Sequence, residues 1–163
     1  MKRTYDEGVV AECLARLRGH LRITTDDLDQ ELRAKFLAAV RAAENQIGSV
    51  IVRSDFTDVF LFSSSVTLGA PLISVRSVKV DGVSLSEGYS VSKAAGTVTF
   101  DGSVTGTEVE IAWDSGMEQI PDDIMIAVLM MAASFFSNPM DSVMSLPTAS
   151  ANLLRPYRHY EVR

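Results

Sequence analysis

Histidine, cysteine and converging carboxylates are the groups from which a site would be built, and this chain is poor in the first two. His20 and His159 are the only histidines, near opposite ends, and no His-x-x-x-His or His-x-x-Glu-His spacing exists to hold a metal ion. Cys13 is the single cysteine, which rules out an internal disulfide and any paired-cysteine zinc site and agrees with a reducing compartment. On a continuous helix Cys13 and His20 would share a side but lie about 10 Å apart along the axis, too far for a nucleophile and its base. Cys13 therefore reads as a small buried hydrophobe. Ser63-Ser64-Ser65 lacks the Gly-x-Ser-x-Gly elbow that exposes a serine nucleophile. Gly82, Gly88, Gly96, Gly102 and Gly106 fall between strand-like runs, not in a strand-to-helix phosphate cradle. The expectation is a protein without catalytic, cofactor-binding or metal-ligating residues, and not an enzyme.

The carboxylates are more telling. Asp101, Glu108, Glu110, Asp114, Glu118, Asp122 and Asp123 follow one another with no Lys or Arg between them, within a chain of net charge −6 and pI near 4.9. That sign opposes a protein whose main work is gripping nucleic-acid phosphates. The run has no EF-hand spacing and reads first as a solvated face.

The elements that must carry these residues follow from periodicity. Val9 to Leu21 has helical spacing at positions 9, 10, 14, 17 and 21. The next helix is clearer. Thr24 or Thr25 is the expected cap, Asp26 and Asp27 the first turn, and Leu28, Leu32, Phe36, Val40, Ala43 and Ile47 one apolar stripe, with Asp29, Arg33, Arg41 and Glu44 outward and Gly48 at the end. From 49 to 115 the period changes to two. Runs at 59–62, 66–68, 75–80, 89–91, 97–100 and 109–113 predict a small antiparallel sheet of about five strands, with Asp81-Gly82 and Asp101-Gly102 as hairpin dipeptides. Val75 to Val80 does not alternate cleanly, so neither face reads as the wet one. Helix returns at 120–139, with Pro121 at its first position, Asp122 and Asp123 in its first turn, Pro139 as its stop and no charge from Ile124 to Phe136. This run is too short for the roughly 20 residues that span a bilayer. A small domain struggles to surround a helix apolar on nearly every side. The helix is therefore either enclosed by its own chain or shared with a neighbouring copy, and in the second case Ile124, Val128, Leu129, Met130, Met131 and Phe135 are the expected subunit interface, one stripe resting on the sheet and another meeting a neighbour. Residues 140–150 read as a loop and 151–160 as a short helix or tail. Met1-Lys2-Arg3 leads into Thr4, Tyr5, Asp6 and Glu7 and not an apolar leader, so the chain is expected to begin near Met1 and to reside in the cytosol. The fold class expected is α+β, a single domain over 1–163: helical at 1–48, a β insertion at 49–115, the apolar helix, then loop and tail at 140–163.

Four strings, in their order, resemble the head–tail connector (adaptor, or head-completion) family of long-tailed bacteriophages and prophages. They are HLRITTDDLDQELRAKFLAAVRAAENQIG at 20–48, LGAPLISVRSVKVDG at 68–82 with GYSV at 88–91, VEIAWDSGMEQIPDDIMIAVLMMAASFFSNP at 109–139, and LLRPYR at 153–158. Pro139-Met140 departs from the charged pair that relatives often carry there, and the following loop is long. The resemblance implies a structural virion protein at the neck: a homo-oligomeric ring of about a dozen copies that docks beneath the portal protein, extends the DNA exit channel and meets the downstream neck or tail protein. DNA would pass without sequence-specific binding, no membrane would be involved, and the chain would be in the host cytoplasm during assembly. In that frame Leu153, Leu154, Arg155, Tyr157, Arg158, His159 and Tyr160 are the expected portal or neck contact, and Glu108, Glu110, Asp114 and Glu118 the channel-facing acids that would repel DNA phosphates. The alternatives are another phage assembly or tail-completion module, and a small-molecule-binding domain.

Overall fold

The computed structural model describes residues 1–69, 71–138 and 148–158. The fold is α+β, and the chain divides into two compact units, Met1–Asp6 with Val52–Glu118 and Glu7–Ile51 with Gln119–Arg163.

The second unit is helical. Helix α1 spans Glu7–Leu21 and buries Val10, Cys13 and Leu17, a 3–4 spacing that makes one stripe. Helix α2 spans Asp29–Ile47, later than the capping threonines foretold. Arg18 on α1 pairs with Asp26 at 2.7 Å and also with Asp29 where the helix begins. A turn closed by the Asp29 N–H donating to the Asp26 carbonyl (3.1 Å) precedes the helix, and Leu28 occupies the cap position with no side-chain bond. The far end behaves as read: Gly48 is left-handed (φ 71°) and its N–H donates to the Glu44 carbonyl. Leu32, Phe36, Ala39, Val40, Ala43 and Ile47 are buried as a stripe. Glu44, expected outward, is buried too, because its Oε1 accepts the Ile51 N–H at 2.8 Å and ties down the chain leaving the helix. Helix α3 spans Asp122–Ser137, with Pro121 one position outside it as the cap. It packs on α1, α2 and the short α4 (Thr148–Leu154), so the stripe expected to rest on a sheet rests on helices. A 3₁₀ turn, Arg155–Tyr157, follows α4. The expected stop at Pro139 lies outside the described residues. No helix among the described residues is long and apolar enough to cross a membrane.

The first unit is β, and it holds two sheets where one was expected. The strands are β1 (Lys2–Tyr5), β2 (Ser54–Leu61), β3 (Ser65–Thr67), β4 (Leu72–Val80), β5 (Val83–Leu85), β6 (Tyr89–Ser92), β7 (Thr97–Phe100) and β8 (Glu108–Ser115). Five form an antiparallel sheet in the order β1-β2-β8-β4-β5, and three a second sheet in the order β3-β7-β6. β1 had no counterpart in the sequence reading, being four residues without apolar alternation. Arg3 anchors it: its guanidinium lies 4.2 Å from the Tyr5 ring centre and 5.1 Å from that of Phe56, and its Nε donates to the Ser54 hydroxyl at 3.0 Å.

The unclear pleat of β4 has a definite cause. Its pairing with β8 slips between Leu72 and Ser74 and again between Val75 and Ser77, two bulges that each insert a residue. Beyond them Val78 and Val80 are buried opposite Ile111 and Val109. Trp113 is buried and stacks on Phe56, ring centres 5.3 Å apart, so the dry face is the one bearing Val109, Ile111 and Trp113. Asp81-Gly82 makes the foreseen two-residue hairpin, with positive φ at both positions (47° and 81°) as a type I′ turn needs. Asp101-Gly102 does not make one. Asp101 accepts the Ser103 N–H and hydroxyl in a side-chain-closed turn, and β7 and β8 on either side of it belong to different sheets.

Candidate assembly surfaces

The groups that could do chemistry are dispersed. Cys13 is buried on α1, and burial, with the Glu12 carboxylate beside it, pushes its thiol up and away from the reactive thiolate. No cluster of metal-ligating side chains occurs among the described residues. A cleft of about 350 Å³ lies along α1 and α2, lined by Val10, Ala11 and Leu14 under a rim that includes the Glu7–Arg33 ion pair (2.8 Å). Another of about 320 Å³ follows the β6–β7 hairpin past Tyr89, Phe100 and Asp101. Asp101 is held below the ordinary carboxylate range by the Ser103 hydroxyl and N–H, which suits a structural anion and not a proton carrier. Neither cleft brings a nucleophile to a base.

The surfaces expected from the sequence separate on inspection. On α3, Ile124, Val128 and Met131 are buried in the chain and have no side-chain surface for a neighbour, whereas Leu129, Met130 and Phe135 are half-buried. Ile126, not singled out before, is 48% exposed. Ile126, Leu129, Met130, Ala133 and Phe136 recur at helical spacing, so α3 keeps an apolar stripe that its own chain covers incompletely. In the C-terminal segment Leu154 is buried as an anchor, Leu153 and Tyr157 are half-buried, and Arg155 and Arg158 are exposed. His159 and Tyr160 lie outside the described residues.

The acidic residues are not a uniform front. Glu110 pairs with Lys79 at 2.7 Å across β8 and β4. Asp114 is buried, accepts the Ser74 hydroxyl at 2.8 Å and lies 3.2 Å from Arg76 Nε. Arg76 also reaches Asp55 on β2 at 3.2 Å. Asp55 stands directly opposite Asp114, and the hydrogen bond between these two carboxyl groups, with some desolvation, raises the Asp55 pKa against the pull of Arg76. Only Glu108 and Glu118 of the four expected channel acids are exposed. The run looked unpaired because its cations come from β4, distant in sequence.

One surface escaped the sequence reading. Val59 (51% exposed) and Leu61 (84%) project from the end of β2, and Val83 (66%) from β5. A signal existed: Val59-Phe60-Leu61-Phe62 is apolar at both parities, more than a strand with one dry face requires.

No protein-family model and no curated protein matches the chain. Solved structures do. A chain in the neck of an empty gene transfer agent (GTA) particle, computed with C6 symmetry, matches with TM-score 0.74 at 22% identity, over 100% of this chain and 98% of that one. A chain in the neck of the native particle, computed with C12 symmetry, matches with TM-score 0.74 at 21% identity over the same shares. A chain of the native GTA virion matches with TM-score 0.71 at 20% identity. From end to end, this chain has the fold of chains found in the necks of gene transfer agent particles.

Proposed function

We propose that this protein is a structural neck component of a phage-like particle, a homo-oligomeric ring between the portal and the downstream neck or tail protein that lengthens the channel through which DNA leaves. The single observation that carries the reading is the full-length match to chains of particle necks, covering 100% of this chain and 98% of theirs. It agrees with the resemblance of the sequence to head–tail connectors and with apolar side chains left uncovered on both units. The protein then works by assembling and not by catalysis. Strands β2 to β8 are the insertion between α2 and α3 of one connector-like domain, with the N-terminal β1 added at the sheet's edge, Leu129, Met130, Phe135 and Ile126 contribute to the subunit contact, and the exposed Arg155 and Arg158 face the portal or neck partner. Its place is the neck of the particle, reached from the cytoplasm of the producing cell.

Native mass spectrometry of the purified chain over a concentration series, with electron microscopy of particles made without it, tests this. Ring-sized assemblies and DNA-filled heads lacking tails are the expected results. A chain that stays monomeric at every concentration, together with complete infectious or transducing particles in its absence, would overturn the reading.

A further inference from the structure

The two open edges of the five-stranded sheet lie at the same level. Pairing of β1 with β2 begins at Lys2 opposite Thr57, and the Met1 ammonium lies 2.7 Å from the Asp58 carboxylate, so among the described residues the uncovered stretch of that edge of β2 is Val59 to Leu61. At the other edge stands β5, only three residues long. The registers join them in straight rows: Val59, Glu110, Lys79 and Ser84 form one, and Phe60, Val109, Val80 and Val83 the next.

Amide directions at these edges follow from bonds already seen. Phe62 donates its N–H to the Thr107 carbonyl on the β8 side, and the Arg53 carbonyl accepts from Asp6 on the β1 side. Alternation along β2 therefore aims the N–H and C=O of Val59 and Leu61 away from β8, into the open edge. On β4, Asp81 donates its N–H to the Glu108 carbonyl, so Val80 bonds to Val83 across the hairpin and Ser84 aims its own N–H and C=O outward. Each open edge thus presents backbone groups beside an exposed apolar side chain, Val59 and Leu61 on one and Val83 on the other. Such an edge is a template for another strand.

We infer that β5 of one copy adds to the Val59–Leu61 end of β2 in the next copy, so that the sheet continues from subunit to subunit. The occupant is a second copy of this chain, for three reasons on the molecule itself. Opposite edges of one sheet are different surfaces, which gives the head-to-tail contact that a ring needs and a two-fold dimer lacks. Every neighbouring pair in the sheet is antiparallel, so β5 runs opposite to β2 and a copy in the same orientation continues the alternation. Continuing the rows sets Ser84 against Val59, where outward amides exchange two hydrogen bonds, and sets Val83 against the half-buried Phe60. So short a pairing covers too little surface for a stable ring; this contact fixes direction and register and is one part of the interface. The inference rests on the ring proposed above.

Proline substitution reads the contact directly. At Ser84 and Val59 the N–H serves no partner in the chain's own ladder, so Ser84→Pro and Val59→Pro should keep the circular dichroism and melting temperature of the parent. Each should shift ring assembly to a concentration roughly tenfold higher or more, through the lost hydrogen bonds and the blocked approach. As a second measurement, the double variant Val59→Cys with Ser84→Cys should give a covalent ladder ending in a closed ring under mild oxidation, and each single variant none. If single variants cross-link into dimers, the edges pair with themselves and the inference falls. Parent rings on native mass spectrometry, with no ladder from the double variant and intact assembly of Ser84→Pro, would overturn the strand contact and leave the ring standing. A parent chain monomeric at all concentrations, with no ladder, would remove both.

Discussion

Glu44 on α2 and Asp55 on β2 are both carboxylates, yet they have opposite consequences for stability. Glu44 accepts a buried backbone N–H, so removing its oxygen strands the Ile51 donor, and Glu44→Ala should destabilise by about 1–3 kcal/mol in chemical denaturation, with Glu44→Gln costing less. Asp55 is the reverse case. Its pKa is raised in the folded chain because it shares a hydrogen bond with Asp114, so the folded state holds that proton more tightly than the unfolded chain does. The charged form therefore costs stability above the folded pKa, and this cost vanishes as pH falls toward the ordinary value of 3.8. Asp55→Asn removes the titrating group together with a half-exposed ion pair worth little. The melting temperature of Asp55→Asn relative to the parent should thus be most favourable at neutral pH and decline toward pH 3.8. A difference that stays level across that window would show that the two carboxyl groups are not coupled.

At the scale of elements, α3 separates folding from assembly. Met131 is fully enclosed among helices, so Met131→Asp buries an unpaired charge and should abolish cooperative unfolding at ordinary temperatures. Ile126 is on the uncovered stripe. Ile126→Asp should leave stability within about 0.5 kcal/mol of the parent and lower the population of ring on native mass spectrometry. Leu129→Asp and Met130→Asp, half-buried, should impair both. The turn after β8 has a different constraint. Gly116 sits at φ 139°, and a Cβ there would come within 2.5 Å of the Arg53 Cα, a backbone atom that cannot swing aside. Gly116→Ala should cost about 3 kcal/mol by thermal or denaturant unfolding. The other glycine of note, Gly82, needs only its positive φ and has open space around it, so its alanine variant should be the milder of the two.

For the whole molecule, the pattern of charge matters more than its sum. A chain of net charge −6 looked like a carrier of acidic channel residues, but Lys79 and Arg76 engage Glu110 and Asp114 across the sheet. The exposed carboxylates of that group are Glu108 and Glu118, which have no ion pair among the described residues. In the proposed ring, replacing both with Gln should leave assembly intact, whereas Glu110→Gln should unbalance Lys79 at the row that meets the neighbouring copy. DNA ejection or packaging measured on particles carrying each variant distinguishes channel lining from sheet chemistry.

Composition and local order determined the class of the molecule: a small α+β chain with an amphipathic α2, an α3 without charge from Ile124 to Phe136 and β-rich runs between them. Those features are short-range, because helix periodicity, Gly48 at a helix end and Asp81-Gly82 at a two-residue hairpin are settled within a few residues. Tertiary structure alone decided which side chains stayed uncovered. Arg18 on α1 engages Asp26 and Asp29 where α2 begins, Glu44 turned inward to Ile51, and two bulges in β4 chose the wet face by slipping its pairing with β8. It also split the β residues into two sheets. Strand pairing joins residues distant in sequence, and no local pattern records where a neighbouring strand stops.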